Sequence, residues 1–197
     1  MANFILAHKK VQASEGGYSN NPNDSGNYVD GILIGSNYGI SAPTLKNYLG
    51  KRPTREEMIN LSPKVALVIY KNEYWNRIKG DEIKNQSVAH LIYDSAVNQG
   101  YSFTRRAIQN AVEEQGKKYV VIDSNQINNL NQKKFFDSIF KQRLDRYSTG
   151  KKEFRKGWIN RLNEIKFISQ KKITYYLVGG LLLVTTLTFI ILNKLTK

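Results

Sequence analysis

Residues Ile173 to Leu192, ITYYLVGGLLLVTTLTFIIL, carry no charged side chain, and no other segment of the chain restricts its folding so severely. A helix rising about 1.5 Å per residue over that run spans the roughly 30 Å hydrocarbon core of a bilayer. Lys171 and Lys172 flank its start, Lys194 and Lys197 its end, and Tyr175 and Tyr176 stand where interfacial aromatics are found. A buried core helix is the alternative, but core helices seldom run this long without a charge, and only five residues follow to cover it. The expectation is one C-terminal transmembrane helix over 173–192. Met1 to Lys10 holds only a short apolar patch before His8, Lys9 and Lys10, which predicts no secretory signal peptide.

The rest of the chain reads as one compact, mainly α-helical body with little β. Thr54-Arg55-Glu56-Glu57 is a capping box opening a short helix through Leu61. Ser62-Pro63 starts a helix predicted to reach about Lys79, with Val65, Val68, Ile69, Trp75 and Ile78 inward and Gly80 as its stop. A third helix is predicted over Gln86 to Gln99, with Val88, Leu91, Ile92 and Val97 inside. Others follow at Phe103 to Glu114, Lys133 to Arg146 and Phe154 to Ser169, separated by Gly116, the stretch Asn125 to Asn131, and Ser148-Thr149-Gly150. Phe154, Trp158, Leu162 and Ile165 make a core stripe on the last of these. Ile32-Leu33-Ile34 and Tyr119-Val120-Val121-Ile122 are the strand signals, short enough for a ribbon or for extended loops.

Of 197 residues, none is cysteine and two are histidine, which removes disulfides, thiolate zinc sites and cysteine nucleophiles and makes a metal site unexpected. A formal net charge of +14 draws the chain to polyanions. Without zinc-finger spacing or an RNA-binding signature, nucleic acid has only that charge to recommend it, so no specific nucleic-acid partner is expected.

The chemistry concentrates near the N-terminus. Phe4, Ala7 and Val11 recur at helical spacing, and one further turn on the same face arrives at Glu15. Gly16 and Gly17 are expected to end the helix with left-handed or otherwise unusual backbone angles, leaving Glu15 in its last turn beside the carbonyl end. Burial and that dipole both disfavour the carboxylate, and a carboxyl that keeps its proton is what general-acid attack on a leaving-group oxygen needs. Asp24, in the polar loop Ser19 to Asn27, is a second carboxylate of opposite character, held ionised as a base or an oxocarbenium stabiliser. The plainer alternatives are an exposed glutamate at a helix end and an aspartate that only organises its turn.

Several elements in order decide between them: Glu15-Gly16-Gly17-Tyr18, Asp24-x-Gly26, Tyr38-Gly39-Ile40-Ser41, Tyr74-Trp75-Asn76-Arg77-Ile78, Asp94-Ser95-Ala96-Val97-Asn98-Gln99-Gly100 and Gly157-Trp158-Ile159-Asn160-Arg161. The series resembles glycoside hydrolase family 108, the N-acetylmuramidases also called secretion activators, over about Phe4 to Lys166. The resemblance implies a lysozyme-like helical fold, with a catalytic segment at 1–84 and the family's predicted peptidoglycan-binding part at 85–168. It further implies peptidoglycan as substrate, Glu15 as catalytic acid and no cofactor. Tyr18, Asn37 and Tyr38 are expected to bind glycan by their places in the matching elements. Asp94 and Asn98, one helical turn apart, share a face that would look into a groove, unless they pair with each other or cap neighbours. The chain departs from the family at Asn27, where a second glycine is expected, in a longer link from Gly26 to Ser36, and at Asp123-Ser124-Asn125, where an Asp-Gly turn is usual.

The resulting expectation is a lysozyme-type hydrolase that cuts the β-1,4 bond between N-acetylmuramic acid and N-acetylglucosamine, with Glu15 protonating the bridging oxygen and Asp24 assisting. A lytic transglycosylase, which needs one glutamate, and a non-catalytic, membrane-tethered wall-binding or export-assisting protein are the alternatives. Lys166, Lys171 and Lys172 outnumber Lys194 and Lys197, so the positive-inside tendency starts the domain on the cytoplasmic side of a bacterial membrane, in a host or phage-encoded lysis setting.

Overall fold

The structure is a computed structural model that describes residues 1–12, 16–150 and 152–169. Glu15 and the run 173–192 therefore lie outside the described residues. No helix among the described residues is long and apolar enough to cross a membrane.

The fold is mainly helical and is arranged around one enclosed helix. Helix α1 spans Phe4–Gln12, a two-strand ribbon pairs β1 (Tyr28–Val29) with β2 (Ile32–Leu33), and α2 (Ala42–Leu49), α3 (Arg55–Ile59) and α4 (Pro63–Tyr70) follow. Then come α5 (Gln86–Gln99), α6 (Tyr101–Glu113), α7 (Ser124–Asn128), α8 (Gln132–Ser148) and α9 (Lys152–Asn163). In α5 every residue from Ser87 to Ala96 is buried. A helix covered on all sides needs neighbours all round it, and α1, the turn after α4, α6 and α8 supply them. Asn85 opens α5 by accepting the Ser87 and Val88 N–H groups at 2.9 and 3.2 Å. The predicted extent of this helix, Gln86 to Gln99, is what the structure has, with Val88, Leu91 and Ile92 buried and Val97 packed at the edge of the core.

Phe4, Ala7 and Val11 are buried on α1, as their spacing predicts. The capping box before α3 is complete, with Thr54 Oγ1 accepting from Glu57 N at 3.0 Å and Glu57 Oε2 from Thr54 N at 2.7 Å. One apolar cluster runs from Ala2 to Ile165, through both segments expected on either side of residue 84.

The helix predicted from Pro63 to Lys79 is three pieces: α4, a π-helical turn at Lys71–Trp75 and a 3-10 turn at Asn76–Ile78, closed by Lys79 at φ 54°. The wider turn brings Tyr70 and Trp75, five residues apart, onto one inward face. Ala66, Ile69, Tyr70, Trp75 and Ile78 are buried, whereas Val65 and Val68, expected inside, are exposed. Trp75 fixes this break, because its indole N–H donates to Asp81 Oδ1 at 2.8 Å and its ring lies on Gly80, where a Cβ would stand 2.3 Å from the ring carbons.

Other departures are local. Asp30 (φ 51°) and Gly31 (φ 76°) form a two-residue hairpin turn between β1 and β2, and Ile34 is buried just beyond the ribbon. Tyr119 to Ile122 forms no strand; Val120 and Val121 are exposed, and only Ile122 is buried. The Asn-rich stretch predicted as a spacer contains α7, opened by Asp123, whose Oδ1 accepts from Asn125 N at 2.9 Å. Helix α2 was also not predicted, although Ser41 caps it and Pro43 stands in its first turn. Helix α9 ends at Asn163 rather than Ser169, and on its stripe Leu162 and Ile165 are buried while Phe154 is exposed.

Candidate functional site

The C-terminal end of α1 approaches a wall of phenols. His8 Nδ1 shares a 2.8 Å hydrogen bond with the Tyr93 hydroxyl, and its ring lies 4.7 Å from that of Tyr70. Tyr70 donates to the Tyr38 carbonyl at 3.2 Å, and its ring meets Tyr74 at 5.7 Å. Tyr74 OH bonds Thr44 Oγ1 at 3.2 Å, which bonds Ser41 Oγ at 2.9 Å. Burial raises the Tyr93 phenol far above its ordinary range and lowers the His8 imidazole, so both stay neutral near pH 7.

The Asp24 loop closes against the same wall. Asp24 is exposed, and its Oδ1 accepts the Gly26 N–H at 2.9 Å as the cap of the 3-10 turn Ser25–Asn27. A Cβ on Gly26 would lie 3.7 Å from Ser41 Cβ, which sets this turn beside the start of α2. Asn27, in place of the family's glycine, has no left-handed φ and needs none. It is buried, its Nδ2 donates to the Asn21 carbonyl at 2.9 Å, and its own carbonyl accepts from Ile34 N and Gly35 N at 2.9 and 3.0 Å. Gly17 has no left-handed φ either; it is exposed with open space around its Cα.

Tyr38 is the most distinctive of the expected glycan contacts. Asn37 and Ile40 bond each other at 2.8 and 3.1 Å across a turn whose central residues, Tyr38 (φ 49°) and Gly39 (φ 71°), are both left-handed. A bulky residue held there is strained, and the Tyr70 hydroxyl on its carbonyl helps hold it. Asn37 and Tyr18 each hold other segments of the scaffold. Buried Asn37 Nδ2 donates to the Met58 and Ile59 carbonyls at 2.9 and 3.1 Å. The Tyr18 hydroxyl donates to Ile34 O at 3.1 Å and accepts from Arg55 Nε at 2.9 Å, and its ring lies so close over Gly35 (φ 98°) that a Cβ there would stand 2.6 Å from it.

Asp94 sits in a buried ion-pair cluster rather than at a groove surface. It is buried, with Oδ2 held by Arg143 Nη2 at 2.5 Å and Oδ1 by Arg161 Nε at 3.1 Å; Arg161 Nη2 lies within 3.0 Å of the same oxygen without hydrogen-bond alignment. The sequence pattern did not show that two arginines distant in the chain would take both oxygens. Asn98 shares the turn as predicted but gives its Nδ2 to the Asp94 carbonyl at 2.7 Å. It lines a groove of about 590 Å³ with Arg146, Tyr147, Phe154 and Trp158, and Asp94 does not. Among the described residues no three His, Asp or Glu side chains are grouped to hold a metal ion.

His90, buried beside this cluster, was also missed. Burial, aided by Lys10, Arg143 and Arg161 and opposed by Asp94, lowers its pKa from 6.5 to about 4. A depressed histidine pKa contributes stability that is full above 6.5 and is lost as pH falls toward 4, because the unfolded chain takes up the proton first. Urea unfolding at about pH 4.5 is expected to give a stability lower by roughly 2 kcal/mol than at pH 7 from this group, and His90→Gln should flatten that slope. Of the other residues missed, Tyr74 and Ser41 lay inside the matching elements, while His8, Tyr70, Tyr93 and Thr44 carried no signal beyond residue type.

Residues 8–100 match the family model described as Glycosyl hydrolase 108. The solved structure of Brucella abortus SagA is similar at a TM-score of 0.67 and 24% identity, covering 82% of this chain and 90% of that one. At that identity the likeness establishes the fold. No curated protein matches the chain.

Proposed function

We propose that this chain is a glycoside hydrolase of family 108, a muramidase that cuts peptidoglycan between N-acetylmuramic acid and N-acetylglucosamine. The observation that carries this is the family match over 8–100, which takes in Glu15, Asp24 and the Tyr38 turn. Glu15 is the general acid: it stands four residues after Val11 in the sequence and is to protonate the bridging oxygen, which calls for a carboxyl that keeps its proton. Asp24, exposed and turned by a single amide, supports the positive charge that develops on the sugar. Tyr38 lines the glycan path, with the Tyr70, Tyr74 and Thr44 hydroxyls behind it. The run 173–192 anchors the domain to a membrane.

One observation favours a second reading. Asp24 caps its own turn, and a transglycosylase needs no second carboxylate. Mass spectrometry of products from purified peptidoglycan separates the two. Reducing-end muramic acid, with Asp24→Asn slowing the reaction at least about tenfold, is the expected result. Anhydro-muramic ends with a near-normal Asp24→Asn rate would establish transglycosylation, and no cleavage at all would leave a wall-binding protein.

A further inference from the structure

Four exposed apolar side chains gather at one end of the domain: Ile5 (50% exposed) and Leu6 (59%) on α1, Val68 (42%) on α4 and Ile168 (45%) beyond α9. Ile5 and Val68 line one shallow groove of about 360 Å³. Hydrogen bonds to the start of α5 tie Ile168 to the same end. Asn3 N donates to Gln86 Oε1 at 2.7 Å and Gln86 Nε2 to Asn3 O at 3.1 Å, while Asn85 Nδ2 donates to Ile168 O at 3.2 Å and Ile168 N to Ser87 Oγ at 3.0 Å. The first turn of α1 and the departing chain thus meet at one knot.

Exposed lysines neighbour these residues in the chain: Lys9 one turn along α1 from Ile5 and Leu6, Lys84 next to Asn85, and Lys166 two residues before Ile168. Of the acids nearby, Asp81 faces Lys71 at 3.5 Å and takes the Trp75 N–H, Glu82 accepts from Ser124 Oγ, and Glu164 is exposed two residues before Lys166. Lys71 also lies over the Phe4 ring, 5.9 Å from its centroid. Exposed apolar side chains with lysines beside them suit a surface with anionic headgroups above hydrocarbon.

We propose that this end of the domain is a membrane-seating face that rests on anionic lipid, with Ile5, Leu6, Val68 and Ile168 entering the headgroup layer and Lys9, Lys84 and Lys166 meeting phosphates. The proposal rests on the anchor reading of 173–192. Ile168 is pinned, and five residues at no more than about 3.6 Å each hold the start of the uncharged run within roughly 18 Å of it. The bilayer then begins beside this face, which singles out lipid over a protein partner. Helix α1 rises about 12 Å from Phe4 to Gln12, so seating here turns the end that leads to Glu15 away from the lipid.

The chain has no cysteine, so single cysteines can be labelled without background. Full-length Leu6→Cys and Ser102→Cys, the latter beyond the far end of the 14-residue α5, carry a fluorophore in vesicles containing phosphatidylglycerol and headgroup spin-labelled lipid. The Leu6 label is expected to be quenched at least about threefold more than the Ser102 label, and this difference should shrink in phosphatidylcholine alone, in high salt, and in a Lys9→Glu, Lys84→Glu, Lys166→Glu variant. Equal quenching at the two positions, in protein that floats with the vesicles, overturns the face and spares the anchor. Protein that fails to float overturns the anchor and the face together. Preferential quenching indifferent to lipid charge overturns the assignment to anionic lipid.

Discussion

Replacing Glu15 by glutamine is expected to lower glycan cleavage by about 10²- to 10⁴-fold, the usual worth of a positioned general acid, with little change in KM. The amide keeps the shape of the side chain and its capacity to hydrogen-bond the sugar but has no proton of suitable acidity for the bridging oxygen. The leaving group must then depart as an alkoxide, and only the chemical step suffers. Phe4, Ala7 and Val11 stay buried in this variant, so urea unfolding should match the parent and show that activity is lost without loss of fold. Turbidity clearing of a peptidoglycan suspension reads the effect directly. Equal clearing by parent and variant would remove Glu15 from the mechanism.

Asp94→Ala is expected to cost about 3–5 kcal/mol of stability, read as a lower urea midpoint at unchanged slope. Arg143 is fully buried and is held from four sides, by Asp94 Oδ2, Gln99 Oε1 at 2.7 Å, the Leu91 carbonyl at 3.1 Å and the Tyr147 hydroxyl at 3.2 Å. Only Asp94 offers a negative charge among these, so its removal leaves a buried guanidinium uncompensated. Asp94→Leu combined with Arg143→Met should recover much of the loss, because both charges leave together. A double variant no more stable than Asp94→Ala would show that the charge is not the source of the cost. Burial by itself would raise the Asp94 pKa, but the Arg143 and Arg161 charges outweigh it and hold the carboxyl below its ordinary 3.8. Its contribution is therefore complete above that value and is lost as pH falls through the depressed pKa, at lower pH than the His90 effect.

Two sets of residues mark how much was legible. The inward face of α1 is written in the spacing of Phe4, Ala7 and Val11, because which residues share a helix face depends only on the helical repeat. Asp94 has an equally regular spacing to Asn98, yet its role follows from Arg143 and Arg161, 49 and 67 residues away. Asn37 is similar: its place in a matching element suggested a ligand, and the Met58 and Ile59 carbonyls claim its amide.

The sequence alone determined the mainly helical body, the limits of α5, the capping box before α3 and the inward face of α1, since caps and helical periodicity act between residues a few places apart. Tertiary structure alone decided that Val65 and Val68 face out, that a π-helical turn carries Trp75 onto Gly80, that Asp94 is locked between two arginines, and that Tyr38, Tyr70, Tyr74 and His8 form one wall. Each of these depends on which distant side chain fills a given space, and local preference carries no information about a neighbour that only the folded chain brings near.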